Sequence, residues 1–213
     1  AKENSCVLSA VVDGLLQHLW PPPRDIMIVM KTCPEHAHTS SIVRCVHEDN
    51  IIPGVTYASV DEVLKKQLAD GYSSGSSSTG GHTITGWYLQ QLVKFGSVAR
   101  AKELNLTDDV MIWDSDLFPI TRVPVFDHSG RAYLMVDNKN KSEYDPAVLA
   151  VVKEPMKRSP EGYTFVTHHM VMNRKVVSEM LGFVVRHNTA QDWATRMLEA
   201  SCPSKNYCLL SEY

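Results

Sequence analysis

No stretch of this sequence approaches the ~18 consecutive apolar residues that a membrane-spanning helix requires, so no membrane span is expected in it. Positive charge is equally scarce. Its 21 Lys and Arg stand against 24 Asp and Glu, a net charge of −3 with nine neutral histidines. Binding nucleic acid by neutralising phosphates is therefore not expected. There is no C-x-x-C pair. The five cysteines, Cys6, Cys33, Cys45, Cys202 and Cys208, are odd in number and scattered, which argues against a zinc site and reads as free thiols in a reducing compartment. Cys202 and Cys208 can pair only if a turn brings their Cα atoms within about 7 Å. No internal repeat is present. Neither an initiator Met nor the basic and apolar regions of a secretory signal open the chain. The expectation is a processed or excised piece of a longer protein. The thiols favour the cytoplasm, with the Golgi lumen as the alternative if a targeting segment has been lost.

What is there suits one globular core. The chain has 213 residues, 44% of them hydrophobic and 21% charged, enough for a single domain over 1–213. Apolar spacing predicts a helix over 5–20, stopped by Pro21-Pro22-Pro23. Ile26–Met30 is a short apolar run of the kind found in strands buried on both faces. The pattern then predicts a helix over Ser41–His47, a turn at Pro53-Gly54 and a strand over Val55–Ala58. A helix over Asp61–Leu68 follows, with Ser59 as N-cap. The Ser/Gly tract from Tyr72 to Gly81 reads as a loop or lid. Beyond it come a helix over Thr85–Lys102 and a strand over Asp109–Trp113. A hairpin joins Val123–Phe126 to Ala132–Val136 through the turn Asp127–Gly130, then a strand spans Tyr163–Val166. Helices over Arg174–Arg186 and Gln191–Ala200 complete the order. Short apolar strands separated by helices imply an α/β fold, a mixed sheet covered on both faces.

The chemistry concentrates at Val110-Met-Ile-Trp-Asp-Ser-Asp116. An apolar strand delivers two carboxylates, Asp114 and Asp116, to its C-terminal end, the edge where α/β sheets bind ligands. If the chain stays extended, positions i and i+2 point the same way, and both can address one hard cation such as Mg²⁺ or Mn²⁺. Asp-x-Asp also arises by chance, and Asp is common in turns. His168 and His169 follow another strand and can complete a metal site, although paired histidines more often serve structure. On the helix after the Ser/Gly tract, Trp87, Gln90, Gln91 and Lys94 fall on adjacent faces, placed to grip a sugar or phosphate. The plainer alternative makes Trp87 and Leu92 core residues and leaves Lys94 in solvent.

Taken together, four motifs resemble those of a poorly characterised glycosyltransferase-like family of GT-A type. They are Gly86-Trp-Tyr-Leu-Gln-Gln-Leu-Val-Lys94, Val110-Met-Ile-Trp-Asp-Ser-Asp116, Phe165-Val-Thr-His-His-Met-Val171 and Ser211-Glu-Tyr213. The likeness runs from about residue 20 to the end, each motif weak alone and more specific in this order. It implies a GT-A (Rossmann-like) fold, a mixed and mostly parallel sheet flanked by helices. The first strand would be lacking, because the chain opens within the first helix. It further implies a nucleotide-sugar donor (a UDP-sugar, with a GDP-sugar as the other option) and a carbohydrate or glycoconjugate acceptor. Asp114 and Asp116 match the DxD positions, His168 and His169 the late His pair, and Gln90, Gln91 and Lys94 positions near the donor sugar. Trp87 lies in the same motif, and Glu212 matches a terminal acidic position.

The mechanism that follows is metal-assisted transfer: Mn²⁺ or Mg²⁺ stabilises the departing diphosphate as a Lewis acid. An inverting enzyme also needs a carboxylate base, for which Asp127, Asp137, Asp192 and Glu212 are available. A retaining one does not, and the stereochemistry stays open. Two rivals stand beside this reading. One is a Mg²⁺-dependent phosphohydrolase with Asp114 as nucleophile and Asp116 as acid. The other is a non-catalytic carbohydrate-binding or scaffold domain.

Overall fold

The structure, a computed structural model, describes residues 4–33, 40–68, 83–136, 145–153, 168–186 and 192–201. Helix α1 (Asn4–His18) buries Val11, Val12 and Leu15 and gives way to the two-residue strand β1 (Leu19–Trp20). Three prolines follow, which lack the N–H a helix would use. Strand β2 (Ile26–Met30) pairs in parallel with β3 (Val43–His47), in the register Ile26↔Val43 to Met30↔His47. Residues 43–47 are therefore extended, against the helix predicted for 41–47. Val43 and Val46 are β-branched, and the edge of β2 offers a ladder that so short a helix could not match.

Helix α2 (Tyr57–Leu68) starts four residues earlier than its apolar spacing suggests. The Thr56 amide donates to Ser59 Oγ at 2.8 Å and the Ser59 amide to Thr56 Oγ1 at 3.2 Å. This reciprocal box satisfies two amides that the helix leaves unpaired. It makes Thr56 the cap in place of Ser59, and it replaces the strand expected at Val55–Ala58. Helix α3 (Ile84–Ala99) is capped by Thr83, whose side chain accepts from the Gly86 amide. Its Tyr88, Leu89, Leu92, Phe95 and Val98 are buried. At Gly96 the helix meets Ile52 so closely that a Cβ would lie 2.3 Å from its Cγ1.

Strand β4 (Asp109–Trp113) occupies the predicted residues. Beyond it, β5 (Val123–Pro124) pairs in parallel with β1. The predicted turn is present: the Gly130 amide donates to the Asp127 carbonyl, the Asp127 amide to the Arg131 carbonyl, and Phe126 bridges Ala132. Gly130 sits at φ +81°, where any side chain would be strained. Helix α4 (Asp145–Val152) is followed by β6 (His169–Asn173), antiparallel to β4, then by α5 (Arg174–Arg186) and α6 (Trp193–Ser201). The strand predicted at Tyr163–Val166 and the Ser/Gly tract lie outside the described residues.

Two apolar clusters form. The larger joins α2, α3, α5 and α6 to one face of β4, with Ile112 and Met172 buried in it. The smaller joins α1 to the other face, where Met111, Trp113 and Val171 meet Val11, Leu15 and Val125. The alternation of β4 thus feeds two cores, as expected for a strand covered on both sides. The architecture is mixed α/β, with three two-stranded pairings, two of them parallel. No larger parallel sheet is hydrogen-bonded together among the described residues. No described helix is long and apolar enough to cross a membrane.

One cysteine expectation is corrected. Cys33 and Cys45 form a disulfide, their Cα atoms 5.7 Å apart. Cys33 lies just past β2 and Cys45 in the middle of β3, so strand pairing brings together two thiols that look unrelated in sequence. Cys202 and Cys208 lie outside the described residues.

Candidate functional site

The site is built by the pairing of β4 with β6. The ladder runs from Asp109↔Asn173 to Trp113↔His169, and the Asp114 amide extends it by donating to the His168 carbonyl at 3.0 Å. Residues opposite each other share a face, so Asp114 and His168 meet on one side and Trp113 and His169 on the other. Asp114 Oδ2 lies 3.3 Å from His168 Nδ1. The rings of Trp113 and His169 stack with centroids 4.6 Å apart and planes inclined by 24°.

Helix α3 supplies the third group. Lys94 Nζ donates to Asp114 Oδ1 at 2.8 Å, the side chains being 12% and 21% exposed. That largely buried setting strengthens the pair relative to one in open solvent. Gln90, one turn earlier, lines the same cavity as Lys94, Asp114 and Ser115. Its volume is about 430 Å³, and its walls are mostly apolar.

Asp116 does not join this group. The strand stops at Trp113, and residues 114–117 form a turn closed by the Leu117 amide on the Asp114 carbonyl. The Trp113 indole N–H donates to the Leu117 carbonyl at 2.7 Å. Extended geometry was the reason to expect both carboxylates on one side. The turn removes it, and Asp116 is exposed.

The remaining residues sort by helix geometry and local bonding. Gln91 is fully buried, because one step beyond Gln90 turns its side chain into the larger core. Trp87 is half-buried against that same core. The Asp127 carboxylate accepts from the amides of Ser129 and Arg131, the Ser129 hydroxyl and Arg131 Nε. These bonds, the Ser129 hydroxyl first, pull its pKa down to about 2. It holds the hairpin turn and is a weak base. Asp192 caps α6 through the Thr195 amide and hydroxyl. Asp137 and Glu212 lie outside the described residues.

Among the described residues, no three His, Cys, Asp or Glu stand together in a way that could hold a metal ion. Asp114 and His168 make a pair of one carboxylate oxygen and one imidazole nitrogen. That donor set suits Mn²⁺, provided the other positions come from water and a diphosphate, as is usual where substrate phosphates share the cation. His169 is kept from that side by its stack on Trp113. Burial, then the neighbouring His168, lowers the His169 pKa, against the opposing pull of Asp114.

Sequence reasoning missed the part played by Trp113. Its position, immediately before Asp114 on an apolar strand, is the signal, but only the register with β6 turns that into a stacking partner for His169. Compared with protein-family models, curated proteins and solved structures, the chain has no match among any of the three.

Proposed function

We propose that this chain is a metal-dependent glycosyltransferase domain of GT-A type, transferring a sugar from a nucleoside diphosphate to an acceptor hydroxyl. The observation that carries the reading is the grouping of Lys94, Asp114 and His168 at the carboxyl end of β4, beside a cavity. Ligands of α/β sheets bind at such an edge. The parallel β2–β3 pair and the two-sided covering of β4 are consistent with a Rossmann-like sheet larger than the pairings described.

Each group has a role in this reading. Lys94 neutralises charge on the diphosphate, and its largely buried position raises the value of that charge. Asp114 holds the Lys94 ammonium in place before substrate arrives and, with His168, would hold Mn²⁺ or Mg²⁺. When bound, the cation supplies Lewis-acid stabilisation of the leaving diphosphate. Gln90, one turn from Lys94, is placed to donate to a sugar or phosphate oxygen. His169, stacked on Trp113, keeps the end of β6 against β4 and so orients His168.

The test is calorimetric titration of UDP and then GDP, with and without Mn²⁺, on the intact chain and on Lys94→Ala and Asp114→Ala. The expected result is binding that needs the metal and falls at least about tenfold in each variant, the scale of a lost charged hydrogen bond. If neither nucleotide binds under any metal condition, the donor-site reading is wrong.

A further inference from the structure

The segment that leaves the site carries apolar side chains outward, although it is firmly held. Residues 114–117 form the turn already described, and the Trp113 indole N–H holds the Leu117 carbonyl at 2.7 Å. Two residues on, Pro119 is buried against α1 at Gly14, so tightly that a Cβ added there would lie 3.0 Å from the proline Cδ. At the far end the Arg122 guanidinium lies over the Trp20 ring, 4.2 Å from its centroid, and β5 pairs Pro124 with Trp20. Residues 118–122 therefore run alongside the chain from Gly14 to Trp20 and touch it at both ends.

This arrangement buries Pro119 and leaves its neighbours outside. Phe118 and Ile120 are 55% and 76% exposed, and Trp20 is 54% exposed. Pro124, which shares a face with Trp20, is exposed as well. An apolar patch of this kind on a held surface marks a place of interaction. Its shape and charge favour one kind of partner. Ile120 stands so far out that a protein would need a matching pocket to desolvate it, whereas fluid hydrocarbon accepts any protrusion. Arg122 pairs with no carboxylate among the described residues. An indole and a guanidinium side by side, with aliphatic and aromatic groups next to them, suit the boundary between acyl chains and phosphate headgroups.

We propose that this face docks on the surface of an anionic phospholipid bilayer. Phe118 and Ile120 enter the acyl boundary, Trp20 lies at headgroup level, and Arg122 pairs with a headgroup phosphate. The contact is peripheral and needs no spanning helix. With a net charge of −3 on the whole chain, the attraction is local to Arg122, and burial of the apolar side chains supplies most of the binding. Because the docked segment begins where the Asp114–Leu117 turn ends, docking sets the site close to the bilayer surface. The inference stands whether or not the chain is a transferase.

The test is co-sedimentation of the full chain with vesicles of phosphatidylcholine and phosphatidylserine mixed about three to one, the mass without vesicles being recorded as well. Binding is expected to fall at least about tenfold in Phe118→Ser/Ile120→Ser. In Arg122→Gln it is expected to fall about fivefold, the effect of one cationic side chain near an anionic surface. Val176→Ser, at an exposed apolar residue of α5, is expected to leave binding unchanged. Brominated acyl chains are expected to quench part of the tryptophan fluorescence, a part absent from Trp20→Phe. No binding by the intact chain would overturn the proposal, as would equal weakening by Val176→Ser. If the serine pair fails to fold, Arg122→Gln and the quenching decide, and no change in either overturns it. A serine pair that abolishes a dimer and leaves vesicle binding intact would overturn it too.

Discussion

The Asp114 amide donates to the carbonyl of His168, 54 residues away, at 3.0 Å. That bond fixes the register of the strand pair at its functional end. The far end is fixed independently: the Asn173 amide group donates to Asp109 Oδ1, while Arg174 bonds Asp108 through both backbone and guanidinium. Register decides which side chains meet, because a slip of one residue would move each to the opposite face. With both ends held, Asp114 faces His168 and Lys94 together, and Trp113 faces His169.

The Lys94–Asp114 pair is expected to stabilise the fold as well as prepare the site. Asp114→Ala leaves a largely buried ammonium beside an apolar cavity without its carboxylate, at an expected cost of about 1–3 kcal/mol. The double variant Lys94→Met/Asp114→Ala removes the ammonium along with its carboxylate and is expected to recover part of that loss. Urea unfolding of the singles and the double closes the cycle. Strictly additive effects would show that the two groups are not coupled.

Gly96→Ala is expected to destabilise the chain although alanine is the better helix former. Propensity favours alanine by about 1 kcal/mol. The added methyl, however, would lie 2.3 and 2.6 Å from Cγ1 and Cδ1 of Ile52. Overpacking of that kind costs about 1–3 kcal/mol. Ile52→Ala is expected to relieve the clash, so the double variant should be less destabilised than the sum of the two. A stabilised Gly96→Ala chain would mean that α3 and Ile52 are farther apart than described.

Acid is expected to weaken the stack at the site. The folded pKa of His169 lies below its ordinary value, chiefly because burial disfavours the charged ring. The unfolded chain therefore binds the proton more readily, and stability falls as pH drops below the unfolded pKa of about 6.5. His169→Phe keeps an aromatic partner for Trp113 and removes the titrating group. Its urea midpoint is expected to fall less between pH 7.5 and 5.0 than that of the parent, both values flanking the unfolded pKa of about 6.5. Identical falls would assign the acid sensitivity to other groups.

How far the sequence reaches is clear from particular residues. Strand β4 and helix α5 were legible to the residue, because an unbroken apolar run and a strong helical stripe each carry their own period. The Asp127–Gly130 turn was legible because Gly130 needs its positive φ. The helix expected at Ser41–His47 failed for a nonlocal reason: β2 provides the ladder that makes those residues extended. The extended geometry expected to carry Asp116 to the side of Asp114 ends for a local one, since alternation does not survive the turn that begins at Asp114. Gln91 shows the limit of reading faces from spacing alone. Gln90 and Gln91 are chemically identical neighbours, and only the position of the larger core decides which is buried.

The Cys33–Cys45 bond gives the segment between β2 and β3 a closed topology. Disulfides form and persist in oxidising surroundings, so identical polypeptides can exist in two covalent states according to where they mature. In one the two strands stay cross-linked when the chain unfolds; in the other only the polypeptide between them keeps them near. For a ring of this size the tether removes about 3 kcal/mol of freedom from the unfolded chain. A preparation made in a reducing cytosol and one exported through an oxidising route would then share every residue and differ in durability.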